Sequence, residues 1–113
     1  MKWSEHLIPL LKGSIFNAAK QANTNLFTSD LQPAKTPTLF RIYVSLDTKS
    51  KLSLKRTKTV VTVTEAFNQN SDLTAGCNYM FDAVIAEGET VNLQLSVGCT
   101  VLSLIVVEIP MVQ

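Results

Sequence analysis

The chain has 113 residues, of which 46% are apolar and 17% charged, with a formal net charge of +1. That length builds one hydrophobic core and not two, and the composition excludes a disordered tail, because enough apolar surface is available to offset chain entropy. The charges are sorted by position: all ten Lys and Arg lie in the first 58 residues against three acids, a net +7, while the last 55 residues hold six acids and no base.

Residues 3–22 carry apolar and small side chains at three- and four-residue intervals: Trp3, Leu7, Leu10, Leu11, Ile15, Ala18, Ala19 and Ala22. This spacing predicts an amphipathic helix. Ser4 can cap it, Pro9 is tolerable only close to the first turn and so lets the regular part begin as late as Leu7 or Ile8, and Gly13 weakens it by roughly 1 kcal/mol. Residues 23–38 read as an extended arm, since Pro33 and Pro37 deny helix and central strand alike. Leu26, Phe27 and Leu31 are too apolar for a free linker, so with Trp3 and Leu7 they are the expected anchors that pin this N-terminal segment to a body, its own or a neighbouring subunit's.

From residue 39 the period changes to two. Phe40, Ile42, Val44 and Leu46 alternate with Arg41, Tyr43 and Ser45, the pattern of a strand with one buried face. Residues 47–50 read as a turn, and Leu52 and Leu54 then alternate with Lys51, Ser53 and Lys55. Residues 59–67 are rich in Val and Thr and favour a strand, which residues 68–72 end. Strands are expected at 79–86, 91–97 and 100–109, the first two joined by a turn in which Gly88 supplies a positive φ. The last strand is apolar almost without interruption through Leu102, Leu104, Ile105, Val106 and Val107, so both of its faces should be covered, by a second layer or by another subunit. Six strands at such spacing predict a mainly β fold, a single antiparallel β-sandwich or jelly roll, preceded by an N-terminal α-helix and arm. The division falls at 1–38 for helix and arm and 39–113 for the sandwich.

Little catalytic chemistry can be assembled. His6 is the sole histidine, so no site with several histidines forms within one chain. Cys77 and Cys99 match no common zinc spacing and are expected to be free, small, buried apolar residues. Asp82 and Glu108 are acids within strands, and nothing in the sequence brings them together for acid–base work or Ca²⁺ binding. No phosphate-binding glycine loop occurs. We therefore expect no enzyme and no cofactor.

Association is better supplied. A charge content below the roughly 25% of an ordinary soluble domain suggests a surface partly covered by a partner. Lys49, Lys51, Lys55, Arg56 and Lys58 form a basic cluster suited to an acidic protein surface, to a solvated edge strand or to nucleic acid; the third reading lacks interleaved aromatics and ranks last. Glu87 and Glu89, in the turn before residue 91, are the acidic counterparts. The apolar runs at 7–11 and 101–107 are shorter than the roughly 20 residues of a spanning helix, and Pro9 and Lys12 break the signal-peptide pattern. No membrane role and no secretion by a signal peptide are expected.

The stretch Tyr79-Met80-Phe81-Asp82, then 87–96, Thr100-Val101-Leu102-Ser103-Leu104 and Val107-Glu108-Ile109 resembles the closing hairpins of small jelly-roll proteins of virions, found in tailed phages and archaeal viruses as decoration, spike, neck or baseplate components. The resemblance spans about 30 residues. It implies a symmetric oligomer, assembled in the host cytoplasm, whose partners are copies of itself and other proteins of the particle. It carries over no functional residue. The alternative of another class is a carbohydrate-recognising or host-attachment sandwich, with Tyr43 and Tyr79 as platforms.

Overall fold

The computed structural model describes residues 10–34 and 37–110. These form seven strands: β1 (Leu10–Lys20), β2 (Thr38–Leu46), β3 (Leu52–Lys58), β4 (Val61–Ala66), β5 (Tyr79–Ile85), β6 (Glu89–Leu95) and β7 (Cys99–Pro110). Two antiparallel sheets result, a four-stranded one in the order β1-β7-β2-β5 and a three-stranded one in the order β4-β3-β6. The mainly β, antiparallel sandwich-like architecture expected from the alternating pattern is therefore present.

The N-terminal helix is not. Residues 10–20, helical by their spacing, are strand β1, and there is no α-helix among the described residues. Residues 1–9, with the expected anchors Trp3 and Leu7 and with His6, lie outside the described residues. The reason for the difference is energetic. A helix interrupted by Gly13 is marginal by itself, whereas β7 offers a hydrogen-bonding partner from Leu10 opposite Glu108 to Lys20 opposite Cys99. Long-range pairing outweighs a weak local preference. Gly13 and Asn17 are the places where the strand departs from regularity. The register slips between Leu11 and Gly13, leaving Lys12 as the extra residue of a bulge, and Asn17 takes a left-handed φ of 50°.

The core is built from the inner faces of both sheets. Phe40, Ile42, Val44, Ile85, Val101, Leu104 and Val106 meet Leu52, Leu54, Val91, Leu93 and Leu95, all buried. At one end Phe67 stacks on Phe81, with centroids 4.8 Å apart, and Tyr79 lies 6.0 Å beyond. The β5–β6 turn uses Gly88 at a φ of 81°, as the sequence requires.

The arm belongs to this body. Asn23, Leu26 and Leu31 donate their N–H groups to the carbonyls of Leu95, Leu93 and Val91, and Val91 N–H returns a bond to Leu31. The arm thus borders the β6 edge, with Leu26 and Leu31 buried and Phe27 packed against the core. Asn92 holds it further: its Oδ1 accepts from Phe27 N–H at 3.1 Å and its Nδ2 donates to the Phe27 carbonyl and to Asp30. Alternation along β6 turns Asn92 away from the core, and the arm buries it there. Gly13 lets the arm approach β1, because a Cβ there would stand 2.6 Å from the Phe27 ring.

Candidate functional site: the outer face of the four-stranded sheet

Cross-strand register sets which side chains share the outward face of the larger sheet. On β2 these are Leu39, Arg41 and Tyr43; opposite them stand Val84, Asp82 and Met80 of β5 on one side and Ile109, Val107 and Ile105 of β7 on the other. Strand β1 adds Leu11 opposite Val107 and Phe16 opposite Ser103. Leu11 is 66% and Phe16 58% exposed, Tyr43, Met80 and Val84 are exposed too, and Leu39, Ile105, Val107 and Ile109 are half-buried with no second layer over them among the described residues. An apolar surface running across all four strands is left open.

The apolar run of β7 has its explanation here. Val101, Leu104 and Val106 face the core, and Ile105, Val107 and Ile109 face the open side. The sequence of β7 carries this signal, but the partners from β1 are hidden in it, because the spacing of residues 3–22 puts Leu11 and Phe16 on a helix.

One ion pair interrupts the face. Arg41 donates from Nε and Nη2 to the two carboxylate oxygens of Asp82 at 2.8 and 3.0 Å. Asp82, by hydrogen bond and by charge, raises the Arg41 pKa further above its already high ordinary value. Asp82 and Glu108, the two strand acids, lie on opposite sides of the sheet: Asp82 is exposed outward opposite Arg41, whereas Glu108 is fully buried opposite the buried Phe40. Both Glu108 oxygens accept from Ala34 N–H, at 2.8 and 2.9 Å, and Lys12 Nζ is 3.3 Å away. The bulge at Lys12 is what re-aims that side chain inward.

The opposite surface of the molecule is chemically different. Ser53, Lys55 and Thr57 of β3, Thr62 and Thr64 of β4 and Thr90, Asn92 and Gln94 of β6 share the outer face of the smaller sheet. One outer face is apolar and the other polar.

The basic cluster is divided by this geometry. Lys49 and Lys51 are exposed around the turn before β3, Lys55 faces out and donates to Thr64 Oγ1 at 2.7 Å, and Arg56 points the other way. Arg56 donates to Glu65, to Glu89 and to the Val84 carbonyl, so one guanidinium ties β3 to β4, β6 and the edge of the other sheet. Burial works against the charge of Arg56, but Glu89 and Glu65 outweigh it and its pKa rises. Burial likewise opposes ionisation of Glu89, yet the Ala86 N–H, Arg56 and Lys58 hold its carboxyl below the usual range. Glu87 and Lys58 are exposed. Each of the four described ion pairs joins a base from the first 58 residues to an acid from the last 55, so the sorted charges meet within one chain.

Of the remaining candidates, Tyr79 accepts from Thr74 N–H through its hydroxyl and is stacked on Phe81, while Tyr43 stands in the apolar face. Both cysteines are free; Cys77 is exposed, against expectation, because it sits in the loop before β5, and Cys99 is half-buried against the core with its thiol pKa pushed up by burial and by Asp47. No cluster of three or more metal-ligating side chains occurs among the described residues. No family model matches the chain, and neither curated proteins nor solved structures give a match.

Proposed function

We propose that this chain is a non-enzymatic structural subunit of a symmetric assembly, joined to a second copy of itself through the outer face of the four-stranded sheet. The observation that carries the reading is the open apolar surface across β1, β7, β2 and β5. Four strands about 4.8 Å apart, seven to twelve residues long at about 3.3 Å per residue, give a face of roughly 600 Å², approaching the roughly 800 Å² per partner of a stable interface. The Arg41–Asp82 pair favours a second copy over an unrelated apolar partner. Covering it with a flat apolar surface leaves both charges desolvated without new partners, whereas a copy related by a two-fold axis offers the same two charges in reverse order.

The same reading takes the sandwich as a jelly roll in which the arm occupies the place of a regular strand. Its support is the order β1-β7-β2-β5 over arm-β6-β3-β4, with the arm hydrogen-bonded along β6. Jelly rolls build viral capsids among other assemblies, and with the resemblance of the closing hairpins this sets the proposed assembly in a virion, made in the host cytoplasm, where other particle proteins are further partners. Nucleic acid, membrane and small molecules have no part in the proposal.

Sedimentation of the full chain tests it. Phe16→Lys and Val84→Lys each place a charge in the open face without touching the core, and each should remove the face contact and lower the mass of the associated species at micromolar concentration. A monomeric wild-type chain at high concentration sinks the reading.

A further inference from the structure

A sheet of this size has edges, and the four edges are treated unequally. The β6 edge is covered by the arm. The β1 edge is broken by the bulge at Lys12 and the left-handed Asn17. At β5, Arg56 donates to the Val84 carbonyl. Strand β4 has none of these guards: Val61–Ala66 pairs with β3 in unbroken register from Lys58 opposite Val61 to Ser53 opposite Ala66, and it contains no Lys, Pro or bulge. No backbone bond of its residues beyond those to β3 is found among the described residues. Natural sheets blunt such edges because they template pairing with another chain.

We propose that β4 is a strand-addition edge, and that its occupant is β4 of a second copy, antiparallel about a two-fold axis through Val63. This contact is separate from the face described above. The two-residue connection Thr59-Val60 closes on the Lys58–Val61 pair, so Val61, Val63 and Glu65 turn their N–H and C=O groups to β3, and Thr62 and Thr64 turn theirs to the open side. In the proposed register Thr62 of each copy pairs with Thr64 of the other, and Val63 meets Val63. Thr then lies beside Thr on the polar face and Val beside Val on the other, and β6-β3-β4 continues into the second copy as one six-stranded sheet. A register one residue away places Thr opposite Val and mismatches the faces.

Two observations point to contact at this edge. Val60 is 88% exposed at the tip of the β3–β4 connection, and Val61 and Val63 are exposed beside it, an aliphatic strip continuous with the open backbone. The tip is also strained: Thr59 has a φ of 60°, a conformation that β-branched residues avoid and that a two-residue hairpin ordinarily assigns to Gly or Asn.

Hydrogen exchange and sedimentation on the full chain test this together. The Thr62 and Thr64 amides should exchange slowly, with protection that grows at least tenfold as protein concentration rises through the association range. Thr62→Pro removes an outward N–H and leaves the β3 pairing intact; it should halve the mass of the largest species while Phe16→Lys reduces it separately. Val63→Lys serves if Thr62→Pro fails to fold. Fast exchange of both amides at every concentration, or an unchanged mass in the edge variants, overturns the proposal. Loss of association in Phe16→Lys with no effect of the edge variants leaves the outer-face reading standing and removes this one; the reverse removes the outer-face reading alone.

Discussion

Glu108 is an acid on the inner side of a strand whose other inward residues, Val101, Leu104 and Val106, are apolar. Its carboxylate receives Ala34 N–H through both oxygens and attracts Lys12, so it fastens the end of the arm to the larger sheet. Glu108→Ala should cost about 2 kcal/mol, because it leaves a part-buried donor and a mostly buried ammonium without this acceptor; urea denaturation would read it as a lower midpoint at unchanged slope. Thr59 offers the opposite case. Thr59→Gly removes the positive-φ strain and should stabilise the fold by about 1 kcal/mol, less what glycine gains in unfolded-state freedom. Glu89 sets an acid limit. Its carboxyl is held below the ordinary range in the folded chain, so its stabilising contribution is complete above that range and is lost as pH falls from it down through the lower folded-state value. Stability measured against pH should therefore decline more gently on the acid side in Glu89→Gln than in the wild type.

At the scale of elements, the strands of the sandwich are readable in the sequence and the N-terminal segment is not. Strict alternation at Phe40, Ile42, Val44 and Leu46 defines β2 because a half-buried strand imposes a period of two. In β1 the pattern is spoiled by the Lys12 bulge, the left-handed Asn17 and outward Leu11 and Phe16, so local spacing imitates a helix while the deciding partner lies in β7. Leu26, Phe27 and Leu31 announce themselves as anchors by their apolar character, but that they fasten the arm to β6 of the same chain is a long-range fact invisible to periodicity. The outer face is half legible: β7 signals two covered faces, and β1 conceals its share. Contact between arm and β1 can be measured. Gly13→Ala pushes a methyl group into the Phe27 ring and should destabilise by about 1 kcal/mol, with faster exchange at Leu26 and Leu31. In the Phe27→Ala background the same change should be neutral or stabilising, a non-additivity that identifies the clash.

For the whole molecule, the two outer faces differ in kind, one apolar and one lined by Ser, Thr, Asn and Gln. A subunit so built has a side that seeks cover and a side that tolerates water. The ion pairs between the basic first half and the acidic second half belong to the fold itself, which makes folding, rather than docking, the first use of that charge division. The position of β7 adds a constraint of timing. It lies between β1 and β2 in space but comes about 80 residues after β1 in the chain. A ribosome adding roughly 5–20 residues per second needs about 4–16 s to cross that gap. During that interval β1 and β2 have no strand between them, and the larger sheet cannot close. The smaller sheet and the β2–β5 pair can form meanwhile, but β1 must wait without a partner and β2 with one edge open, and the native sandwich closes only when β7 has emerged.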